Sequence, residues 1–282
     1  MKIITTIKEI REALKKERKK SKTIGFIPTM GCLHEGHLAL MRRARKDCDV
    51  VVVSIFVNPT QFGPSEDFEA YPRDLKKDAE MAEEVGVDYI FAPAIKEMYP
   101  RECLTYVNIG KITEVLCGAH RPSHFRGVAT VVSKLFNIVQ PNFAYFGEKD
   151  YQQLMVIKRM AEDLNLDIRI VGILTVREED GLAMSSRNKY LNPKERKAAL
   201  VLSKSLKLAE RMVKNGEKNL KTVKEAMTKL IEKEPLVDLE YLAICDSISL
   251  KDLLEIKGKV LVALAAKVGK TRLIDNIILE GD

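Results

Sequence analysis

The sequence predicts an α/β fold, a Rossmann-like doubly wound parallel sheet followed by a smaller C-terminal α+β domain. Three observations predict it. Short runs of β-branched and aromatic residues alternate with segments of helical period up to about residue 175, the pattern of consecutive strand–helix units. One run, Asp49–Val57, is almost continuously apolar, as expected of a strand covered on both faces. The polar segments Pro28–His37, Asn58–Gly63 and Gly147–Asp150 each follow such a run directly. That puts all three at the carboxyl edge of the sheet, where doubly wound folds bind ligands.

Taken in order, the chain opens with an amphipathic, charged helix (Lys8–Lys22) and a strand over Thr23–Pro28. A helix is expected from His34 to Lys46, and the apolar Asp49–Val57 strand follows. Tyr71-Pro72-Arg73-Asp74 opens a helix that runs to Val85, and Asp88–Ala92 is the next strand. Gly127–Gln140 reads as a buried helix, Phe143–Phe146 as a strand, Asp150–Leu164 as a helix and Ile168–Ile173 as a strand. The character then changes. Met184–Leu191 is polar, and Asn192-Pro193 starts a helical stretch (Lys194–Lys233) that breaks near Asn215-Gly216. Strands are expected at Asp238–Ile244, Val260–Val268 and Leu273–Leu279. The expected domains are therefore 1–175 and 176–282, joined near 174–180.

Composition narrows the function classes. At 282 residues, with 46% hydrophobic and 31% charged residues, the chain is that of a globular protein of about two domains. No apolar run approaches the roughly 20 residues that span a bilayer, and the charged N-terminus lacks a signal-peptide core, so a cytoplasmic location is expected. Five cysteines without C-x-x-C spacing suggest reduced thiols. The net charge of +7 fits nucleic acid or a polyanionic small substrate. Nucleic acid is disfavoured because aromatic residues do not interleave with the basic Arg11–Lys22 stripe. Zinc at His34, His37, His120 and His124 is a weaker reading, since Gly36 and Pro122 suit anion loops better.

The three edge loops carry the chemistry. Pro28–His37 combines a helix N-terminus, whose backbone donors attract anions, with two imidazoles, His34 and His37. Gly31 and Gly36 permit close approach of a ligand. Gly147-Glu148-Lys149-Asp150 sets a lysine between strand and helix. Met184-Ser185-Ser186-Arg187-Asn188 adds two hydroxyls and a guanidinium suited to phosphate oxygens. Together these loops describe a site for a nucleoside triphosphate without a Walker-type or dinucleotide glycine loop. H-x-G-H with a later M-S-x-x loop is the pattern of the adenylating α/β superfamily.

A closer resemblance covers about residues 23–192. Pro28-Thr29-Met30-Gly31-Cys32-Leu33-His34-Glu35-Gly36-His37, Phe56-Val57-Asn58-Pro59-Thr60-Gln61-Phe62 and Tyr71-Pro72-Arg73 resemble the pantothenate synthetase (pantoate–β-alanine ligase) family. So do Arg121-Pro122-Ser123-His124-Phe125-Arg126-Gly127-Val128, Phe146–Leu154 and Met184–Asn188. Cys32 and Ser123 depart from the usual Ala and Gly.

The resemblance implies that pantoate attacks ATP to form pantoyl adenylate, and that β-alanine then takes the acyl group and releases AMP. It implies His37 as proton donor with His34, Lys149 and Arg187 as its catalytic companions. ATP is expected at Met30, Gly31, Cys32, Leu33, His34, Glu35, Gly36, His37, Gly147, Glu148, Lys149, Asp150, Val176, Met184, Ser185, Ser186 and Arg187. Pantoate is expected on Gln61 and Gln153, and β-alanine on Gln61. Those are two of only four glutamines in the chain, and a neutral amide orients a carboxylate without blunting its nucleophilicity. Mg²⁺ is expected with the nucleotide. The C-terminal domain would be a lid carrying the Met-Ser-Ser-Arg loop, and a homodimer is expected. The alternative is a nucleotidyltransferase of the same superfamily acting on another small acceptor.

Overall fold

The computed structural model describes residues 1–64, 66–253 and 255–281, in two compact units. The first comprises residues 1–114, 118–148 and 153–174. Its elements begin β1 (Lys2–Ile4), α1 (Ile7–Arg18), β2 (Ile24–Thr29), α2 (Glu35–Asp47), β3 (Val50–Ile55), α3 (Leu75–Glu84) and β4 (Tyr89–Phe91). The single-turn helices α4 (Ile95–Met98) and α5 (Cys117–His120) follow, then α6 (His124–Val139), β5 (Phe143–Gly147), α7 (Tyr151–Asp163) and β6 (Arg169–Ile173), with Cys117, Tyr151 and Gln152 counted in the second unit.

The strands pair in parallel in the order β1-β4-β3-β2-β5-β6. Side chains alternate across each strand, so one strand feeds two cores. Phe26, Val50, Val52 and Phe146 pack with Ile10 and Leu14 of α1 and with the apolar side of α6. Ile27, Val51, Val53 and Tyr145 pack on the other face with Leu38 and Met41 of α2 and Ala79 and Ala82 of α3. This is why the Val50–Val53 run is apolar at every position.

The doubly wound sheet matches the expectation, and three differences have local causes. β1 is a three-residue edge strand, too short to carry a periodic signal. β2 continues through Pro28 to Thr29 although proline has no N–H to give a ladder. The pairing of β2 with β5 runs only over Gly25 and Phe26, so no bond to β5 is lost at Pro28. α6 begins at His124, three residues ahead of Gly127, because the glycine serves a contact rather than a helix start.

The second unit comprises residues 115–117, 149–152 and 175–281 of the described chain. α8 (Pro193–Lys214) and α9 (Leu220–Ile231) cover an antiparallel sheet, β7 (Val237–Asp246), β8 (Gly258–Val268) and β9 (Thr271–Gly281), paired in that order. Asn192 caps α8 by accepting from the N–H groups of Lys194 and Glu195, and Glu195 returns a bond to the Asn192 N–H. Leu202, Leu206, Met227, Val262 and Leu264 lie in its separate core. Among the described residues no helix is long and apolar enough to cross a membrane.

Candidate active site

In the first unit, β2 and β5 are neighbours at the point where the strand order reverses, and they stop pairing after Phe26 and Ala144. A crevice outside the carboxyl ends at such a point is the ligand position of this architecture. The loops after β2, β3 and β5 all leave this edge. Gly147 ends β5, and a side chain placed there would meet nothing within 4 Å.

The loop after β2 is held from inside. Gly31 and Cys32 adopt left-handed backbone (φ 84° and 51°), which turns successive N–H groups the same way. They turn toward Asp78 of α3, a buried carboxylate that accepts from Cys32 N–H at 2.9 Å and from Leu33 N–H at 2.7 Å. Gly31 N–H donates to Thr29 Oγ1 at 3.2 Å. A Cβ on Gly31 would lie 2.8 Å from Asp78 Oδ2. The backbone donors that the sequence offers for phosphate at Gly31, Cys32 and Leu33 thus serve the protein itself.

His34 is the N-cap of α2 and His37 its third helical residue, with ring centroids 4.1 Å apart. His37 Nδ1 accepts the His34 backbone N–H at 3.3 Å. That bond exists only while Nδ1 is unprotonated, so it selects the neutral ring that carries its proton on Nε2. Gly36 sits between the two histidines, and Glu35 pairs with Arg42 on the same helix.

Gln61 ends a one-turn 3-10 helix after β3 (Pro59–Gln61). Its Oε1 accepts from Asn58 Nδ2 at 3.0 Å, which assigns the amide: Nε2 is the donor end, 3.3 Å from Met30 Sδ. A thioether is a weak acceptor, so this end keeps its capacity for a stronger one. Tyr99 OH and Thr60 Oγ1 both donate to Asn58 Oδ1. Gln153 is half-buried in the first turn of α7. Its neighbour Gln152 is buried and committed within the second unit, to Val115 O at 2.7 Å and Cys117 N–H at 3.0 Å.

Glu148 follows β5 in the first unit, and the second unit holds Lys149, Asp150, Val176 and the Met184–Arg187 loop. Val176 O accepts from Met184 N–H at 3.0 Å, and Arg177 bridges Ala183, so Val176 and the Met184–Arg187 loop are the two arms of one hairpin. Ser185 Oγ caps the turn by accepting Arg187 N–H, and Ser186 is buried. Asn188 donates to Glu178 Oε1 at 2.6 Å and to Ala183 O. Burial pushes the Glu178 carboxyl up, but bonds from Arg196 and Asn188 more than offset this and hold it below the ordinary range. Lys149 Nζ lies 3.7 Å from Asp150, and the Lys149 carbonyl accepts from Asn276 Nδ2 at 2.8 Å. Next to Asn276, Asp275 holds Arg177 at 2.7 and 3.0 Å. β9 therefore ties the lysine and the hairpin to one strand.

A family described as pantoate-beta-alanine ligase matches residues 2–278. The chain belongs to this family. It is 58% identical over 280 residues to a protein named pantothenate synthetase from Moorella thermoacetica and 56% identical over 279 residues to one from Pelotomaculum thermopropionicum, covering 99% of each chain in both cases. The solved pantothenate synthetase of Thermus thermophilus superposes with a TM-score of 0.94 at 46% identity, over 98% of this chain and 99% of that one. The pantoate-beta-alanine ligase of Francisella tularensis, solved with β-γ ATP and β-alanine, gives 0.82 at 35% identity, over 99% and 97%. Membership accounts for the shared motifs but leaves several residues that sequence reasoning missed. Asp78, Asp275 and Asn276 carried no signal at all, while Asn58 and Arg121 stood in quoted motifs without a role and His124 only as a weak zinc candidate.

Among the described residues no group of three or more His, Cys, Asp or Glu converges on a metal position.

Proposed function

We propose that this chain condenses (R)-pantoate with β-alanine to give pantothenate, using ATP and releasing AMP and pyrophosphate. The observation that carries the reading is the set of histidines and Gln61 on adjacent loops at the reversal point of the sheet, in a chain that matches the ligase family from end to end.

In the first step a pantoate carboxylate oxygen bonds to the α-phosphorus and the bond to pyrophosphate breaks. Gln61 Nε2 and Gln153 hold the carboxylate as neutral donors and leave its charge available for attack. Negative charge builds on the departing pyrophosphate, where His37 Nε2–H donates and His34 contacts phosphate, beside the positive end of α2. Lys149, Ser185, Ser186 and Arg187 supply further donors, with Glu148, Asp150 and Val176 on the nucleotide. Mg²⁺ would offset phosphate charge when bound. In the second step the β-alanine amine, oriented by Gln61, bonds to the acyl carbon, gives up a proton and displaces AMP. An acyl adenylate hydrolyses readily, so the C-terminal unit acts as a lid that excludes water. The protein is further read as cytoplasmic and homodimeric, with sedimentation velocity as the check on the dimer.

ATP–pyrophosphate exchange tests the reading. Exchange that needs D-pantoate, with AMP released only when β-alanine is added, is the expected result. Exchange without pantoate, or none with it, would point to a different adenylating enzyme.

A further inference from the structure

Arg121-Pro122-Ser123-His124-Phe125-Arg126-Gly127 belongs to the family pattern, yet no part of the reaction above falls to it. In the first unit it closes around Gln61. The Gln61 carbonyl, at the open end of its single 3-10 turn, receives His124 Nδ1 at 2.9 Å and Arg121 Nη2 at 3.3 Å. A carbonyl oxygen only accepts, so His124 carries a proton on Nδ1. The guanidinium is itself held by Glu66 through Nε at 2.6 Å and Nη2 at 2.5 Å. Gly127 packs so tightly that a Cβ there would lie 2.2 Å from Thr60 O and 2.7 Å from Gln61 Cα. Asn58 Nδ2 completes the ring with bonds to Gln61 Oε1 and Gly127 O. A lone 3-10 turn has little stability of its own, so the main chain of Gln61 stays where these donors hold it.

We propose that His124 is a positioning residue for the adenylation step. Its Nδ1–H fixes the main chain of Gln61 and thereby the direction in which the Gln61 amide meets the pantoate carboxylate. It touches no reacting atom. The inference rests on the assignment of Gln61 to pantoate, and its test separates the two.

The full-length variants are His124→Ala, His124→Asn, Gln61→Ala and the His124→Ala/Gln61→Ala pair. Asparagine keeps an N–H close to the Nδ1 position. Amide hydrogen exchange over residues 58–63 reads the clamp without any substrate. His124→Ala is expected to speed it by about tenfold, the effect of losing one good hydrogen bond, while His124→Asn keeps wild-type protection. In ATP–pyrophosphate exchange, His124→Ala raises the pantoate KM by about tenfold and leaves the ATP KM unchanged. The double variant is no worse than Gln61→Ala, as residues acting through one another are not additive. Unchanged protection in folded His124→Ala overturns the proposal whatever the kinetics, and so does a double variant whose pantoate defect is the product of the two singles. Lost protection in His124→Ala with a normal pantoate KM in Gln61→Ala supports the clamp and removes Gln61 from pantoate. Should His124→Ala not fold, His124→Phe keeps the ring and loses the donor, and carries the same comparison.

Discussion

His37 meets a demand that its position in the helix helps to satisfy. It must give a strong hydrogen bond to a leaving phosphate, and the His34 N–H on Nδ1 keeps its own proton at Nε2. His37→Ala should fold normally and slow adenylate formation by at least about a hundredfold, in line with the loss of one preorganised donor. ATP–pyrophosphate exchange beside a thermal melt reads both, and near-normal exchange would take His37 out of the reaction. Gln61→Glu keeps the shape of the side chain and adds a negative charge where a carboxylate is expected. Its pantoate KM should rise while its ATP KM holds, which initial-rate kinetics would show. Asp78 acts at one remove. In Asp78→Asn a side-chain NH₂ replaces one acceptor, and a buried backbone N–H at Cys32 or Leu33 loses its partner. The cost should be about 1–3 kcal/mol in denaturant unfolding.

At the scale of elements, the Val176–Met184 hairpin is closed by backbone bonds and braced by charge. Glu178 and Asp180 both meet Arg196, and Asn188 reaches Glu178. The carboxyl of Glu178 titrates below its ordinary range in the folded chain. Its stabilising contribution is therefore complete above the unfolded value of about 4.3 and is lost as pH falls through the lower folded value. Proteolysis or hydrogen exchange of residues 176–191 should rise in that acid window, and Glu178→Gln should flatten the response. An equal acid response in the variant would place the weak point elsewhere. The start of α8 is the opposite case, since Asn192, Pro193 and Glu195 lie within four residues and declare the cap in the sequence alone. Gly127 shows what such local reading cannot supply. It looks like a helix start but is a glycine because Thr60 passes against it.

At the scale of the molecule, the two units are packed on separate cores, one on each face of the parallel sheet in the first and a third in the second. ATP binds only the folded chain, so at a hundredfold excess over its dissociation constant it should add about 2.7 kcal/mol to stability. Lys149→Ala should lose most of that increment while its ligand-free stability stays the same. Calorimetry with a non-hydrolysable ATP analogue is the measurement. An unchanged increment would remove Lys149 from the nucleotide site.

The sequence by itself determined the α/β class, most element boundaries to within a few residues, and the loops on which the histidines, the lysine and the serine–arginine pair stand. These are legible because hydrophobic period, caps and short motifs are written by neighbours in the chain. Tertiary structure alone decided how those groups are held. Asp78 meets a loop 45 residues before it, Asn276 meets a carbonyl 127 residues away, and His124 meets one 63 residues away. Such pairs leave no periodic trace, because which side chain reaches which backbone depends on strand order and on the distances at which helices pack. The same contacts turned the backbone donors of Gly31, Cys32 and Leu33 inward, an outcome that no inspection of the glycine-containing loop could foresee.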